Sequence, residues 1–296
     1  MLTALLIPLI VALLFCCGNL IRAAVARRLV PGWETVAVGA VANFFDTLGI
    51  GSFAPTMAWF KFRGLVPDRI MPSTMLVGYT PPSIVQAMIF IVLLGVFIDP
   101  VLLVGCVIML VAGALLGAPL VARTNVRVVQ FAVAGALLCA ASFYALANLH
   151  MMPGGGTATS LPLPLMIVAI LANFGFGVLL NFGVGNYAPT LAMLSLMGMD
   201  PRLSFPIMAA GASIAGTAAS AQCLRLGTID VKVALGLMIG GIPAVLVAAF
   251  IVKGLSVEML RWLVIVVVVY AAMVMLRAAL TRRDATIDGL ERAEAL

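Results

Sequence analysis

Six stretches of this sequence run for close to twenty residues with few or no charges: Leu2 to Leu20, Pro82 to Ile98, Val101 to Val121, Val128 to Leu149, Val231 to Val252 and Leu260 to Leu280. At 1.5 Å of rise per residue, about 20 apolar residues cross the hydrocarbon of a bilayer as a helix. These runs are apolar on every face and lack the period-two alternation of an outer-membrane barrel, so the spans are helices. With 64% hydrophobic and 9% charged residues, the chain carries more apolar side chain than a water-soluble core can cover. The expected class is an all-α polytopic membrane protein.

The net charge of +6 would point to nucleic acid in a soluble protein. Here Arg and Lys fall in short clusters between spans, as the excess of positive charge in cytoplasmic loops requires, and nucleic acid is not an expected partner. The solvent of the chain is the lipid bilayer. Cys16, Cys17, Cys106, Cys139 and Cys223 lie in or beside apolar runs without CxxC spacing, and read as buried thiols rather than disulfides or metal ligands. The first apolar run is followed, not preceded, by Arg22, Arg27 and Arg28, the opposite polarity to a secretory signal, so it reads as a permanent span with its start outside.

Comparison of the chain with itself reveals a repeat. Gly49-Ile-Gly51-Ser52-Phe-Ala54-Pro55-Thr56 recurs as Gly183-Val-Gly185-Asn186-Tyr-Ala188-Pro189-Thr190, 134 positions later, and the same separation carries Gly64 onto Gly198, Pro67 onto Pro201 and Pro72 onto Pro206. Upstream, Ala42-Asn43-Phe44 matches Ala172-Asn173-Phe174 at a separation of 130, which places about four extra residues within Gly175 to Phe182. The organisation read from this is an N-terminal span and basic loop (1–30), a first repeat (31–149), a Gly-rich linker (150–162), a second repeat (163–280) and a charged tail (281–296). Each half holds one motif segment followed by three ordinary helices.

Charge placement suggests how the halves are related. Arg22, Arg27 and Arg28 precede the first motif segment, while Lys61, Arg63 and Arg69 follow it, so both of its flanks want to be cytoplasmic. A segment that returns to its own side, Trp33 to Phe60, is a re-entrant pair of short helices meeting at the break from Gly49 to Pro55. Such a break is tolerated at membrane depth only under a cover of protein or beside a watery cavity. Treating Leu161 to Leu196 in the same way leaves three spans between the copies, makes the repeats inverted, and puts Arg277, Arg282 and Arg283 with the C-terminus in the cytoplasm. Lys253 and Arg261 then fall outside, a misfit partly offset by Glu258. The rival reading, one full span per motif, makes the repeats parallel.

Gly, Asn, Pro and Thr inside an apolar run break a helix, because Gly is flexible and Pro lacks a backbone donor. The half-helix after each break then starts with free amides and the positive end of its dipole, near Ala54 to Met57 and Ala188 to Ala192, which suits a buried anion. Ser52, Thr56, Thr190, Asn181 and Asn186 can add oriented hydrogen bonds. Two such breaks facing each other would form one central site. The plainer alternative, small residues that let helices pack closely, explains a single GxG but not the same eight-residue pattern twice. Asp46, an acid well inside an apolar segment and not duplicated in the second half, is a candidate for proton or cation coupling, with a helix cap or a partner for a nearby Arg as its structural alternative. Asn43 and Asn173 are either ligands or helix-packing hydrogen bonds.

Arg63, Asp68 and Arg69, and likewise Asp200 and Arg202, read as closing turns at the membrane surface. His150 is the single histidine, and neither HExxH nor GxxxxGK[ST] occurs, so metal-assisted hydrolysis and nucleotide-driven transport have no support; no cofactor is expected and the chain is not read as an enzyme.

Through Asn43-Phe-Phe-Asp46-Thr47-Leu-Gly49-Ile-Gly51 to Pro55, and again from Gly183 through Gly185 to Pro189, the sequence resembles the TauE/SafE family of sulfite exporters, also called the toluene-sulfonate-uptake permease family. The resemblance runs from about Trp33 to about Leu280 as two copies of the family domain. It implies a secondary carrier for sulfite, thiosulfate, sulfonates or related anions, with the Gly- and Pro-containing stretches of both halves, Thr47 included, at the substrate site. Ser52-Phe53 and Asn186-Tyr187 stand where many members have a longer glycine run, and the first span lies outside the family pattern. A multi-pass inner-membrane carrier of a small anion follows as the expected function, with a homodimer as an open possibility. The competing classes are an uncoupled channel or structural subunit and, failing that, an intramembrane enzyme.

Overall fold

The computed structural model describes residues 2–48, 52–67, 70–94, 97–117, 156–180, 186–254 and 262–274, with single positions between 131 and 149 and at 259, 276, 277 and 280. Among them lie the helices α1 (Leu2–Ala26), α2 (Trp33–Thr47), α3 (Phe53–Arg63), α4 (Met71–Leu93), α5 (Pro100–Leu116), α6 (Leu163–Leu180), α7 (Tyr187–Leu196), α8 (Ser204–Leu226), α9 (Val231–Gly254) and α10 (Trp262–Val274), with a short 3-10 turn at Pro201–Leu203. Five helical segments among the described residues are long and apolar enough to cross a membrane. The chain is a multi-pass, all-helical membrane protein.

Local chemistry sets the helix ends. α3 stops at Gly64, whose left-handed φ of 61° closes the helix, and Lys61 and Arg63 occupy the last turn where cations favour the negative end of the dipole. Asp99 caps α5 by accepting from the amides of Val101 and Leu102, with Pro100 in the first turn where its missing N–H costs nothing. α4 begins at Met71, well before the run read from Pro82, because Pro81 and Pro82 lie inside the helix. Neighbouring helices tolerate them: Gly241 of α9 lies so close to Pro82 that a Cβ there would sit 2.6 Å from the proline Cγ.

Both motif segments fold back as hairpins whose ends meet. In the first, Arg63 at the end of α3 donates from Nε to Glu34 at the start of α2, at 2.8 Å, and Trp59 Nε1 donates to the same carboxylate at 3.2 Å. In the second, the chain leading into α6 pairs with the chain leaving α7, through Ala158 N to Gly198 O at 3.3 Å and Asp200 N to Ala158 O at 3.1 Å.

The halves interlock. The first arm of each hairpin lies against a long helix of the opposite half, α2 on α9 and α6 on α5, while α4 and α8 pack together at the centre. The two arm contacts share one local design. Gly113 and Gly177 lie against the backbones of Phe174 and Leu110, three positions before each other's glycine, and Gly240 and Gly39 lie against Val36 and Leu237 in the same way. A Cβ at any of these glycines would collide with a carbonyl, so the backbones touch as in other small-residue membrane interfaces. α1 lays Leu9, Cys16, Leu20 and Ala24 against this bundle and exposes Ile10, Leu14, Ile21 and Val25. In a membrane that outer face meets lipid.

The connecting loops gather at two ends. At one, Asp99 N donates to Thr159 O at 3.3 Å beside the exit of the second hairpin. At the other, Thr74 Oγ1 accepts from Asp230 N at 2.9 Å, Ser73 bonds Thr228 O, and Leu29 and Ile229 share one apolar cluster while Val66 and Val233 share another. Of the cysteines, Cys16 and Cys106 are buried as expected, but Cys139 is exposed on the outer surface of its helix and Cys17 and Cys223 are half-buried; all five are free. A position on an apolar run says nothing about which side of the helix faces lipid. His150, Asp68, Arg69 and the charged tail lie outside the described residues.

Candidate functional site in the two broken helices

The first break runs from Leu48, which ends α2, to Ser52, which precedes α3. The Asp46 carboxylate spans it, Oδ1 accepting from Ser52 N at 2.8 Å. The Ser52 side chain also interacts with this carboxyl, so Asp46 and Ser52 face each other across the break. Thr56, one turn into α3, is 1% exposed and hydrogen-bonds the Tyr79 hydroxyl of α4 at 2.5 Å. Its amide is taken by Ser52 O at 3.3 Å. The sequence reading of free amides from Ala54 to Met57 therefore narrows: Pro55 has no N–H, no side chain caps the helix, and the donors ahead of the first helical bond are those of Phe53 and Ala54.

The second break repeats this arrangement with different side chains. Thr190 N bonds Asn186 O at 3.1 Å, Pro189 again lacks a donor, and the amides of Tyr187 and Ala188 precede the first helical bond without a side-chain cap. Asn186 Nδ2 donates to Met208 O of α8 at 3.2 Å, which fixes the start of α7 to the central helix pair. Gly49, Gly51, Asn181, Gly183 and Gly185 lie outside the described residues.

Asn43 and Asn173 occupy matching places in the two first arms and do the same thing. Asn43 Nδ2 donates to Gly39 O at 2.7 Å and Asn173 Nδ2 to Ala169 O at 2.9 Å, each one turn back. Thr47 Oγ1 donates to Asn43 O at 2.8 Å, and Thr190 Oγ1 lies 3.5 Å from Asn173 Oδ1. Asn43, Thr47, Ser52, Thr56, Asn173, Asn186 and Thr190 are all at most 4% exposed, whereas Pro55 faces outward and Pro189 inward.

α4 joins the two breaks. Tyr79, Ser83 and Gln86 follow one another along it, and the seven steps from the first to the last are about two turns, roughly 10 Å. Phe53 at the start of α3 packs edge-on against Tyr79, with ring centroids 5.9 Å apart. Tyr187, the repeat counterpart of Phe53, sits beside Ser83 and Gln86, within electrostatic reach of Asp46. Sequence reasoning missed Tyr79, Ser83, Gln86 and Tyr187. The available signal was an uncharged polar side chain such as Gln86 in an otherwise apolar run, together with a hydroxyl at 187 where the first copy has a phenyl ring. A separate cleft of about 430 Å³ lies at the base of the first hairpin, between Trp33, Glu34, Trp59, Phe62 and Arg63, away from the breaks.

The two helix starts and the polar residues of α4 are buried together inside an apolar, multi-pass bundle. Residues 165–294 match the family model described as Sulfite exporter TauE/SafE, which supports the resemblance carried by the Gly–Pro motifs. No curated protein and no solved structure matches the chain.

Proposed function

We propose that the protein is a secondary carrier that moves a small anion by alternating access around one midplane site between the two breaks. The observation that carries this reading is the duplicated helix start. Each break leaves two uncapped amides at the positive end of a helix, surrounded by buried hydroxyl and amide side chains and, among the described residues, without a buried cation, so an anion can be held without a permanent ion pair that would resist release. The ligands are drawn from Asn43, Thr47, Gly49, Gly51, Ser52, Pro55 and Thr56 in the first half, and from Asn173, Asn181, Gly183, Gly185, Asn186, Pro189 and Thr190 in the second. The matching family description names sulfite, and the substrate class of this reading is sulfite, thiosulfate or an organosulfonate.

In this reading the repeats are inverted in an inner membrane with the C-terminus in the cytoplasm, and the placement of the hairpin ends supports the inverted relation. The first hairpin has its ends with the loops at 64–67 and 227–230, the second with the loops at 99 and 198–200, and the interhalf contacts are exchanged when α2 to α5 trade places with α6 to α9. Such a pseudo-two-fold lets one half rock against the other around a fixed centre.

Asp46 is the coupling group of this reading. Ionised, its carboxylate holds the Ser52 amide and repels an incoming anion; protonated, it carries no charge to repel one, so anion and proton travel in the same direction. The test is flux of radiolabelled sulfite, thiosulfate and a simple sulfonate in proteoliposomes, with and without a proton gradient. Saturable flux driven by the gradient, which Asp46→Asn uncouples while leaving exchange intact, is the expected result. Flux that never saturates and is indifferent to Asp46→Asn would make the protein a channel instead.

A further inference from the structure

We propose that Tyr187 and Gln86 donate hydrogen bonds to an oxygen of the transported anion and so select for an oxoanion. This rests on the carrier reading above. Gln86 is 1% exposed, in the middle of a helix that crosses the bundle, and among the described residues its Nε2 has no hydrogen-bond partner; the hydroxyl of Tyr187 is buried and also lacks one among them. The two lie side by side next to Ser83, near enough to interact but not in hydrogen-bonding geometry, and Ser83 Oγ is already engaged with Ser213 Oγ at 3.1 Å. Buried polar groups without partners are unfavourable and rare in native proteins, and two at one spot mark a place where a ligand supplies the missing acceptor.

The spot is the start of α7. Tyr187 is its first residue, so these two side-chain donors belong to the same helix end as the two uncapped backbone donors. All of these groups donate, which suits a small anion with several oxygens, such as sulfite or a sulfonate head. A halide presents no directional lone pairs to satisfy them separately. The first break has Phe53 in the place of Tyr187, so the contact is one-sided. The second break recognises the oxygens, while the first, with Asp46, responds to protonation.

The experiment is equilibrium binding of radiolabelled sulfite to the purified full-length protein in nanodiscs, with chloride and phosphate as competitors, alongside its thermal midpoint. Tyr187→Phe removes only a hydroxyl that bonds to nothing in the unliganded protein, so the midpoint should stay or rise while the dissociation constant rises tenfold or more. Gln86→Met, close in volume, should do the same, and the sulfite-over-chloride preference should shrink in both. Unchanged sulfite affinity in either well-folded variant overturns the proposal, as does a lower midpoint in Tyr187→Phe, which would mean that the hydroxyl serves structure. Wild-type protein that binds no sulfur oxoanion overturns the carrier reading and this proposal with it, whereas wild-type binding that the variants retain overturns this proposal alone.

Discussion

Asp46 and Ser52 hold the first break together with one hydrogen bond, and Thr56 and Tyr79 tie it to α4 with another. Both members of the second pair are nearly inaccessible. Tyr79→Phe leaves the Thr56 hydroxyl without its partner, and the expected loss is about 1 kcal/mol of stability, the scale of interhelical hydrogen bonds in membranes; an unfolding titration in mixed detergent measures it. At this scale the sequence was informative where a residue type was costly or repeated. Asp46 stood out because an acid in an apolar run is expensive, and the residues of the duplicated motif stood out by repetition. Tyr79, Ser83 and Gln86 did not, because their importance comes from which face of α4 meets the breaks, and a helix apolar all round gives no periodicity from which to read that face.

Helix pairs are held mainly by backbone contact at glycines. Gly39 with Gly240, and Gly113 with Gly177, bring α2 onto α9 and α6 onto α5 so closely that no side chain fits between. Gly240→Val and Gly113→Leu should therefore each prevent correct assembly, read as loss of monodisperse protein on size exclusion, while Gly18→Ala, where a Cβ meets nothing within 4 Å, should leave it intact. The first hairpin was legible in part: a Gly- and Pro-containing break between basic flanks predicted a segment that folds back, and the bond between Arg63 and Glu34 brings its two ends together. The start of α4 was not legible, since a Pro–Pro pair ordinarily ends a helix and only the glycine of a neighbouring helix makes room for it.

For the whole molecule, the proposed inverted relation has the two hairpins entering from opposite sides. On a cysteine-free background, Thr157→Cys should react with an impermeant maleimide added outside the cell and Pro67→Cys only after the membrane is opened; labelling of both from one side would favour parallel repeats. The central claim is that two breaks make one site, and the most direct test is the stoichiometry of sulfite binding to purified, quantified protein by equilibrium dialysis. The account predicts one sulfite per chain at saturation, lost together when either Thr56→Val or Thr190→Val is introduced at its own break. Two sulfites per chain, each removed by only one of these substitutions, would contradict it.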